Sequence, residues 1–263
     1  MLYERGPTLT LWWLDAYLDL RADQRKHARA GLTDWFRWHR RNELPAYAAL
    51  LDGLARDADG RLTAARICAV TDRVRTHVGR GLEQAVPALA TLASTLDATQ
   101  RTHLARKYAE ANEEKRDEEL GGTAAERRAD DTRRAVDLAQ DLYGRLNREQ
   151  KALIARWVAN SPYDPRIRLA ERSARQEETL AALARIGALQ PPSDATAREV
   201  LQALVAGFLH SPRADYRAYQ ARLVAYNCEF IAEVHNAMSD RQRAKAVKKL
   251  RAREADFRSL AGR

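Results

Sequence analysis

Leu20–Ala28 reads LRADQRKHA, Leu96–Leu104 LDATQRTHL, Leu146–Ile154 LNREQKALI and Met238–Ala246 MSDRQRAKA. Each phrase sets an apolar residue four positions before a glutamine, and a basic residue follows the glutamine. Ser239 with Gln242 has the spacing of a capping box. The serine oxygen accepts a backbone N–H of the first helical turn, and the glutamine reaches back to the cap residue. Asp97 with Gln100 and Asn147 with Gln150 repeat that spacing, whereas Arg21 stands before Gln24 without a capping side chain. Leu20, Leu96, Leu146 and Met238 occupy the position of a hydrophobic staple, which packs against the helix one turn further in. The phrase therefore predicts a helix start written four times. Unequal separations between the copies argue against a regular solenoid.

The sequence on either side of these starts is helical in character. Apolar residues recur every three or four positions, and Ala, Leu, Arg and Glu are abundant. No run shows the strict alternation of a half-buried strand, and no Asn-Gly or Asp-Gly turn joins two such runs. The spacing predicts helices over 8–19, 22–41, from Pro45, from Thr63, over 97–120, from the Thr123/Glu126 capping box to 146, over 148–159, 165–186, 195–209, 214–238 and 240–260. Gly79 and Gly81 weaken the helix after Thr63, and Pro87 is expected to kink or restart it. The fold class is all-α, about a dozen helices in an elongated or curved bundle without a sheet. The 263 residues read as one domain, 1–263, and QPPSDAT makes 187–195 the one place where a sub-domain break would fall. The stripe Tyr216, Tyr219, Leu223, Tyr226 and Phe230 has the spacing of a core seam, and the same reading is preferred for Trp12, Trp13, Trp35 and Trp38, for which a groove lining is the alternative.

Chemistry leaves little trace. The six histidines, at 27, 39, 77, 103, 210 and 235, form no HExxH motif and have no carboxylate at ligand spacing, and His39 and His235 read as seam or surface residues. Glu113, Glu114, Asp117, Glu118 and Glu119 interleave with Lys115 and Arg116 as a solvated helix face does. Walker, GxGxxG and GxSxG motifs are absent from the sequence. No enzymatic activity, metal or cofactor is expected.

A formal charge of +9 favours an anionic partner. The basic candidates are RWHRR, with Arg37, Arg40 and Arg41, and RQRAKAVKKLRAR, with Lys245, Lys248 and Lys249. Nucleic-acid binding would require these to converge beside stacking aromatics. Cys68 and Cys228 lie in apolar helical contexts, and their residues alone leave two readings open: buried thiols, or one long-range disulfide.

Two resemblances add to this reading. The glutamine phrase resembles the L-T-x-x-Q motif of Spy-like periplasmic stress chaperones, with Arg21, Asp97, Asn147 and Ser239 in place of the threonine. It implies a chaperone-like binding of protein clients. PTLTLWWLDAYLDL, WHRRNELPAYAALL, LYGRLNREQKALI, SPYDPRIRLAERSARQ and YRAYQARLVAYNCEFIAEVHN together look like an uncharacterised family of bacterial envelope lipoproteins. That likeness implies a lipidated cysteine upstream of Leu2, a periplasmic location on the outer membrane, and, in an oxidising compartment, a Cys68–Cys228 disulfide. The expected function is non-enzymatic binding of protein clients or envelope partners. The alternative is a structural lipoprotein that holds anionic lipid, lipopolysaccharide or cell-wall polymer on its basic helices. Nucleic acid is not an expected partner in that compartment.

Overall fold

The structure, a computed structural model, describes residues 3–189 and 193–262. Among these residues the chain is all-α. A single 3-10 turn, Tyr3–Arg5, precedes α1 (Gly6–Leu18), α2 (Ala22–Asp57), α3 (Ala64–Ala93), α4 (Ala98–Leu120), α5 (Ala124–Tyr143), α6 (Arg148–Ala159), α7 (Pro165–Gly187), α8 (Asp194–Leu209), α9 (Ala214–Asn236) and α10 (Asp240–Ala261). No described helix is long and apolar enough to cross a membrane.

The predicted caps mark the starts of α4, α5, α6 and α10, and half of one that of α2. Thr123, Asn147 and Ser239 each accept the backbone N–H three residues on, while Glu126, Gln150 and Gln242 return the bond to the cap residue. Asp97 and Gln100 exchange the same pair of bonds, at 2.9 and 3.2 Å. At Arg21 only the glutamine half exists, with Gln24 accepting the Arg21 N–H at 2.9 Å. All four staple residues, Leu20, Leu96, Leu146 and Met238, are buried.

Two expectations about proline need correction. Pro45 does not open a helix but lies inside α2, and Pro87 lies inside α3 without restarting it. An interior proline costs about 3 kcal/mol through its missing N–H and the clash of its ring. Packing at these positions outweighs that cost, because Glu43, Leu44 and Ala48 beside Pro45, and Val86 and Ala90 beside Pro87, are among the most enclosed side chains. Merging of the predicted helices on either side of Pro45 brings the count from about a dozen down to ten among the described residues. Gly81 has a packing role. The Trp35 ring lies 3.5 Å from where its Cβ would be, and the indole Nε1 donates to the Gly81 carbonyl at 2.8 Å.

The chain divides into two compact units, each assembled from three separated segments. The first comprises 1–39, 78–119 and 165–216; the second comprises 40–77, 120–164 and 217–263. Three of the five boundaries thus fall within α2, α3 and α9, and the other two at the end of α4 and the start of α7. Residues 190–192 of the anticipated linker lie outside the described residues, and the helices on both sides of it, α7 and α8, belong to the first unit.

The first unit has one large core, with Leu11, Leu18, Leu20, Val86, Ala90, Leu96, Leu104, Ile186, Ala197 and Leu201 at its centre. A buried charge cluster lies in the same unit. Glu171 takes Arg213 through both Nε and Nη2, at 2.5 and 3.0 Å, and Arg175 at 2.6 Å. Burial opposes the charge on Glu171, but hydrogen bonds from Arg213, Arg175 and Ser211 together outweigh it and hold the carboxyl below its usual range. Arg175 also lies over the Phe208 and Tyr216 rings.

The second unit has two smaller cores. One gathers Tyr143, Leu146, Ile154, Val234, Met238 and Ala246; the other gathers Leu62, Ile67, Cys228 and Ala232. Cys68 and Cys228 form a disulfide across 160 positions, with Cα atoms 5.5 Å apart. Beside it, Asn236 accepts the Leu62 N–H and donates to the Leu62 carbonyl, both at 2.9 Å. His235 is fully enclosed, which corrects the surface alternative of the seam or surface position read from the sequence. Its Nδ1 meets the Tyr143 hydroxyl at 3.1 Å and its Nε2 the Gly60 carbonyl at 2.9 Å. Tyr219 and Tyr226 anchor through their hydroxyls to Asp164 and to the Trp157 carbonyl, and Phe230 stacks on Trp157, so these stripe positions pack as the sequence predicts.

Candidate functional site

The glutamines do more than start helices. In the first unit Gln24 and Gln100 face each other and exchange amide bonds. Gln24 Nε2 donates to Gln100 Oε1 at 3.1 Å, and Gln100 Nε2 donates to Gln24 Oε1 at 2.8 Å. In the second unit Gln150 and Gln242 make the same exchange at 2.8 and 3.0 Å. Each amide also ties down the end of the opposite hairpin. Gln24 donates to the Thr95 carbonyl, Gln100 to those of Leu18 and Asp19, Gln150 to that of Ala237, and Gln242 to that of Arg145.

The basic residue after the glutamine has a local task in three of the four copies. Arg25, Arg101 and Arg243 each donate to the carbonyl of their own staple residue, Leu20, Leu96 and Met238. The phrase is therefore a two-part clasp: it caps its own helix and, through the amide, joins two helical hairpins. Gln24, Gln100 and Gln150 are buried, and their hydrogen-bonding capacity is taken up internally. The clasp is an element of architecture.

A cleft opens beside the second clasp. Two cavities of about 590 and 620 Å³ share Arg145 and Asn147 in their walls. Arg148 and Lys151 complete the cationic lining of one, Arg241 and Lys245 that of the other, and neither lining contains a carboxylate. Lys245 packs over a turn. Gly144 adopts φ +81°, a conformation that favours glycine, and its absent Cβ would fall 2.7 Å from the Lys245 Nζ, so the lysine side chain lies close over the turn.

The basic residues singled out from the sequence are distributed unevenly. Lys245 lines the cleft. Lys249 pairs with Asp141 at 2.6 Å and Arg37 with Asp34 at 2.6 Å, while Arg41 and Lys248 are exposed. Arg37 belongs to the first unit and Arg40 and Arg41 to the second. Arg145, Arg148 and Lys151 were not anticipated. Their signal was present in GRLNREQK, where three cations attend one helix start, but only the fold brings α10 beside them.

A second feature lies on α1. Leu11 and Leu18 are buried on its inner side, yet Leu9, Trp12 and Trp13 are 49, 71 and 52% exposed. The core position expected for Trp12 and Trp13 is thus corrected. A helix that buries one apolar side and exposes another presents a surface for contact.

These features define an all-helical protein whose two units each join a pair of hairpins through buried glutamines, with a cationic cleft at one of the joints. The chain belongs to a family of unknown function, DUF6279, whose model matches residues 16–226. Neither the curated proteins nor the solved structures contain a match to it.

Proposed function

We propose that the chain is a non-enzymatic binding protein of the bacterial envelope, which offers an apolar surface to protein clients or partners. The observation that carries this reading is the outward stripe of Leu9, Trp12 and Trp13 on a helix that is already packed on its other side. Tryptophans of this kind are the usual anchors of protein contacts. The disulfide supports an oxidising compartment, and the resemblance to envelope lipoproteins supports the periplasm and a lipid anchor in the outer membrane. Likeness to the L-T-x-x-Q motif bears on architecture more than on client capture, because the buried clasp glutamines are engaged internally. The test is suppression of aggregation of a reduced, unfolding protein at stoichiometric ratio by wild type and by Trp12→Ser/Trp13→Ser. Suppression lost in the variant is the expected result, and none by wild type at any ratio removes the reading.

A second reading, binding of anionic lipid, lipopolysaccharide or cell-wall polymer, is favoured by the five cations of the cleft. Binding to vesicles of phosphatidylglycerol should then weaken steeply as salt rises, because exposed charges are screened. Salt-insensitive binding would count against it.

A further inference from the structure

We propose that the cleft beside the second clasp binds a ligand carrying two or more phosphoryl groups. The inference deepens the anionic-partner reading and rests on it for the sign of the ligand's charge. Position within the second unit singles out these residues: Lys248, Arg156 and Arg222 are likewise exposed and without an ion pair among the described residues, but the five converge on one cleft. Along α10, Arg243 pairs with Asp240, Lys249 with Asp141, Arg251 with Asp52 and Glu254, and Arg258 with Glu254. Arg241 and Lys245, interspersed on the same helix, have no ion pair among the described residues, and neither do Arg145, Arg148 and Lys151 on the facing turn and α6. The nearest acidic residues in sequence do not wall the cleft. Glu149 is exposed in the first turn of α6, while Asp240 and Asp141 are held by Arg243 and Lys249.

Five uncompensated cations around one cleft repel one another, and an anion relieves that repulsion. The form of the cleft selects the anion. Two cavities share Arg145 as a common wall, so each offers three cations, Arg145 with Arg148 and Lys151 and Arg145 with Arg241 and Lys245. A phosphoryl group of about −1.5 to −2 charge at neutral pH matches such a set better than a single carboxylate does. Guanidinium forks suit its oxygens through paired N–H donors, and lysine supplies a point charge beside them. Gly144, lacking a Cβ, leaves room for the Lys245 side chain to lie over the turn at the cleft wall. The shared chemistry is two neighbouring phosphoryl groups, which a soluble polyphosphate or a doubly phosphorylated lipid headgroup would supply.

The test uses the full chain and titration calorimetry with tripolyphosphate and orthophosphate at fixed ionic strength. Tripolyphosphate should bind, with orthophosphate at least about tenfold weaker. Arg145→Gln and Arg241→Gln should each lower tripolyphosphate affinity about tenfold or more, as loss of a hydrogen bond between charged groups does. Arg148→Gln/Lys151→Gln should do the same from the other cavity. Lys248→Gln, on α10 but outside the cleft walls, should change affinity less than about twofold. All these residues are exposed, so far-UV circular dichroism should be unchanged. Vesicles bearing a lipid with two phosphomonoesters distinguish the sources. Capture that tripolyphosphate displaces assigns a lipid headgroup, and binding of tripolyphosphate without capture assigns a soluble ligand. Unaltered affinity in the cleft variants, or an equal loss in Lys248→Gln, overturns the site. If those variants still bind phosphatidylglycerol vesicles in a salt-sensitive way, the broader anionic reading survives and only the cleft falls. No binding of any anion by wild type removes both.

Discussion

Replacement of Gln24 by leucine tests whether the clasp stabilises the first unit. The side chain is 1% exposed. Its oxygen accepts from the Arg21 N–H at 2.9 Å and from Gln100 Nε2 at 2.8 Å, and its nitrogen donates to the Thr95 carbonyl at 2.8 Å and to Gln100 Oε1 at 3.1 Å. At about 1 kcal/mol net per bond, these four contribute roughly 4 kcal/mol. Part of that loss is recovered. Gln100 keeps Leu18, Asp19 and the Asp97 N–H, and the Thr95 carbonyl keeps the Arg21 guanidinium. A destabilisation of about 3 kcal/mol is therefore expected, lowering Tm by roughly 6 to 12 °C for a chain of this size. Urea unfolding followed by tryptophan fluorescence and by circular dichroism measures it. The decisive quantity is the double-mutant cycle with Gln100→Leu. The two shared amide bonds should make the double variant about 1 to 2 kcal/mol less destabilised than the sum of the singles. Gln24→Glu adds a pH signature. A carboxylate in this enclosed site is most costly when ionised, so the variant should lose stability relative to wild type as pH rises from 4 to 7. A Gln24→Leu variant within about 0.5 kcal/mol of wild type, or an additive cycle, would refute the clasp.

Four further outcomes follow from the same structure. Cys68→Ser/Cys228→Ser releases a loop of 160 positions and should cost about 5 kcal/mol in the chain-entropy model, measured by denaturant midpoint with and without reductant. His235 has its pKa lowered by burial and by the nearby charge of Arg243, against the opposing Gly60 carbonyl bond. The unfolded chain therefore binds this proton more readily, and the contribution of neutral His235 should be complete above pH 6.5 and decline as pH falls below it, by at most about 1.4 kcal/mol per pH unit. His235→Asn should flatten that limb of the stability curve. Arg213→Met leaves the buried Glu171 with Arg175 as its remaining arginine and should cost about 3 kcal/mol, at the low end for a broken buried pair because Arg213 is itself partly exposed. Gly144→Ala meets both a positive φ and the Lys245 ammonium, and a loss of about 1 to 3 kcal/mol by thermal unfolding is expected.

The local grammar of this chain was legible because caps act over three residues. Thr123/Glu126, Asn147/Gln150 and Ser239/Gln242 announce helix starts that the structure places at the next residue. What the glutamines do across the unit was not legible, since Gln24 meets Gln100 and Gln150 meets Gln242 over 76 and 92 positions. No local rule pairs four similar phrases in that order. Pro45 and Pro87 misled for the same reason: their intrinsic cost is local, and the packing that overrides it is not. The cleft combines both cases. Lys245 was visible in a long basic run, whereas Arg145, Arg148 and Lys151 looked like the dressing of a helix start until α10 came beside them. Trp12 and Trp13 show the converse, with core-like spacing on a helix that leaves both of them more than half exposed.

The interleaving of the two units bears on how the chain is made. A ribosome delivers residues in order, yet the first unit waits for residue 216 and the second for the final helix. The first unit can close once residue 216 has emerged, while the second still lacks its third segment. Long stretches of α2 and α3 must therefore emerge before their eventual neighbours exist, and the sulfurs at 68 and 228 can meet only near the end. Such a nascent chain would benefit from protection by other proteins until residues 217–263 arrive.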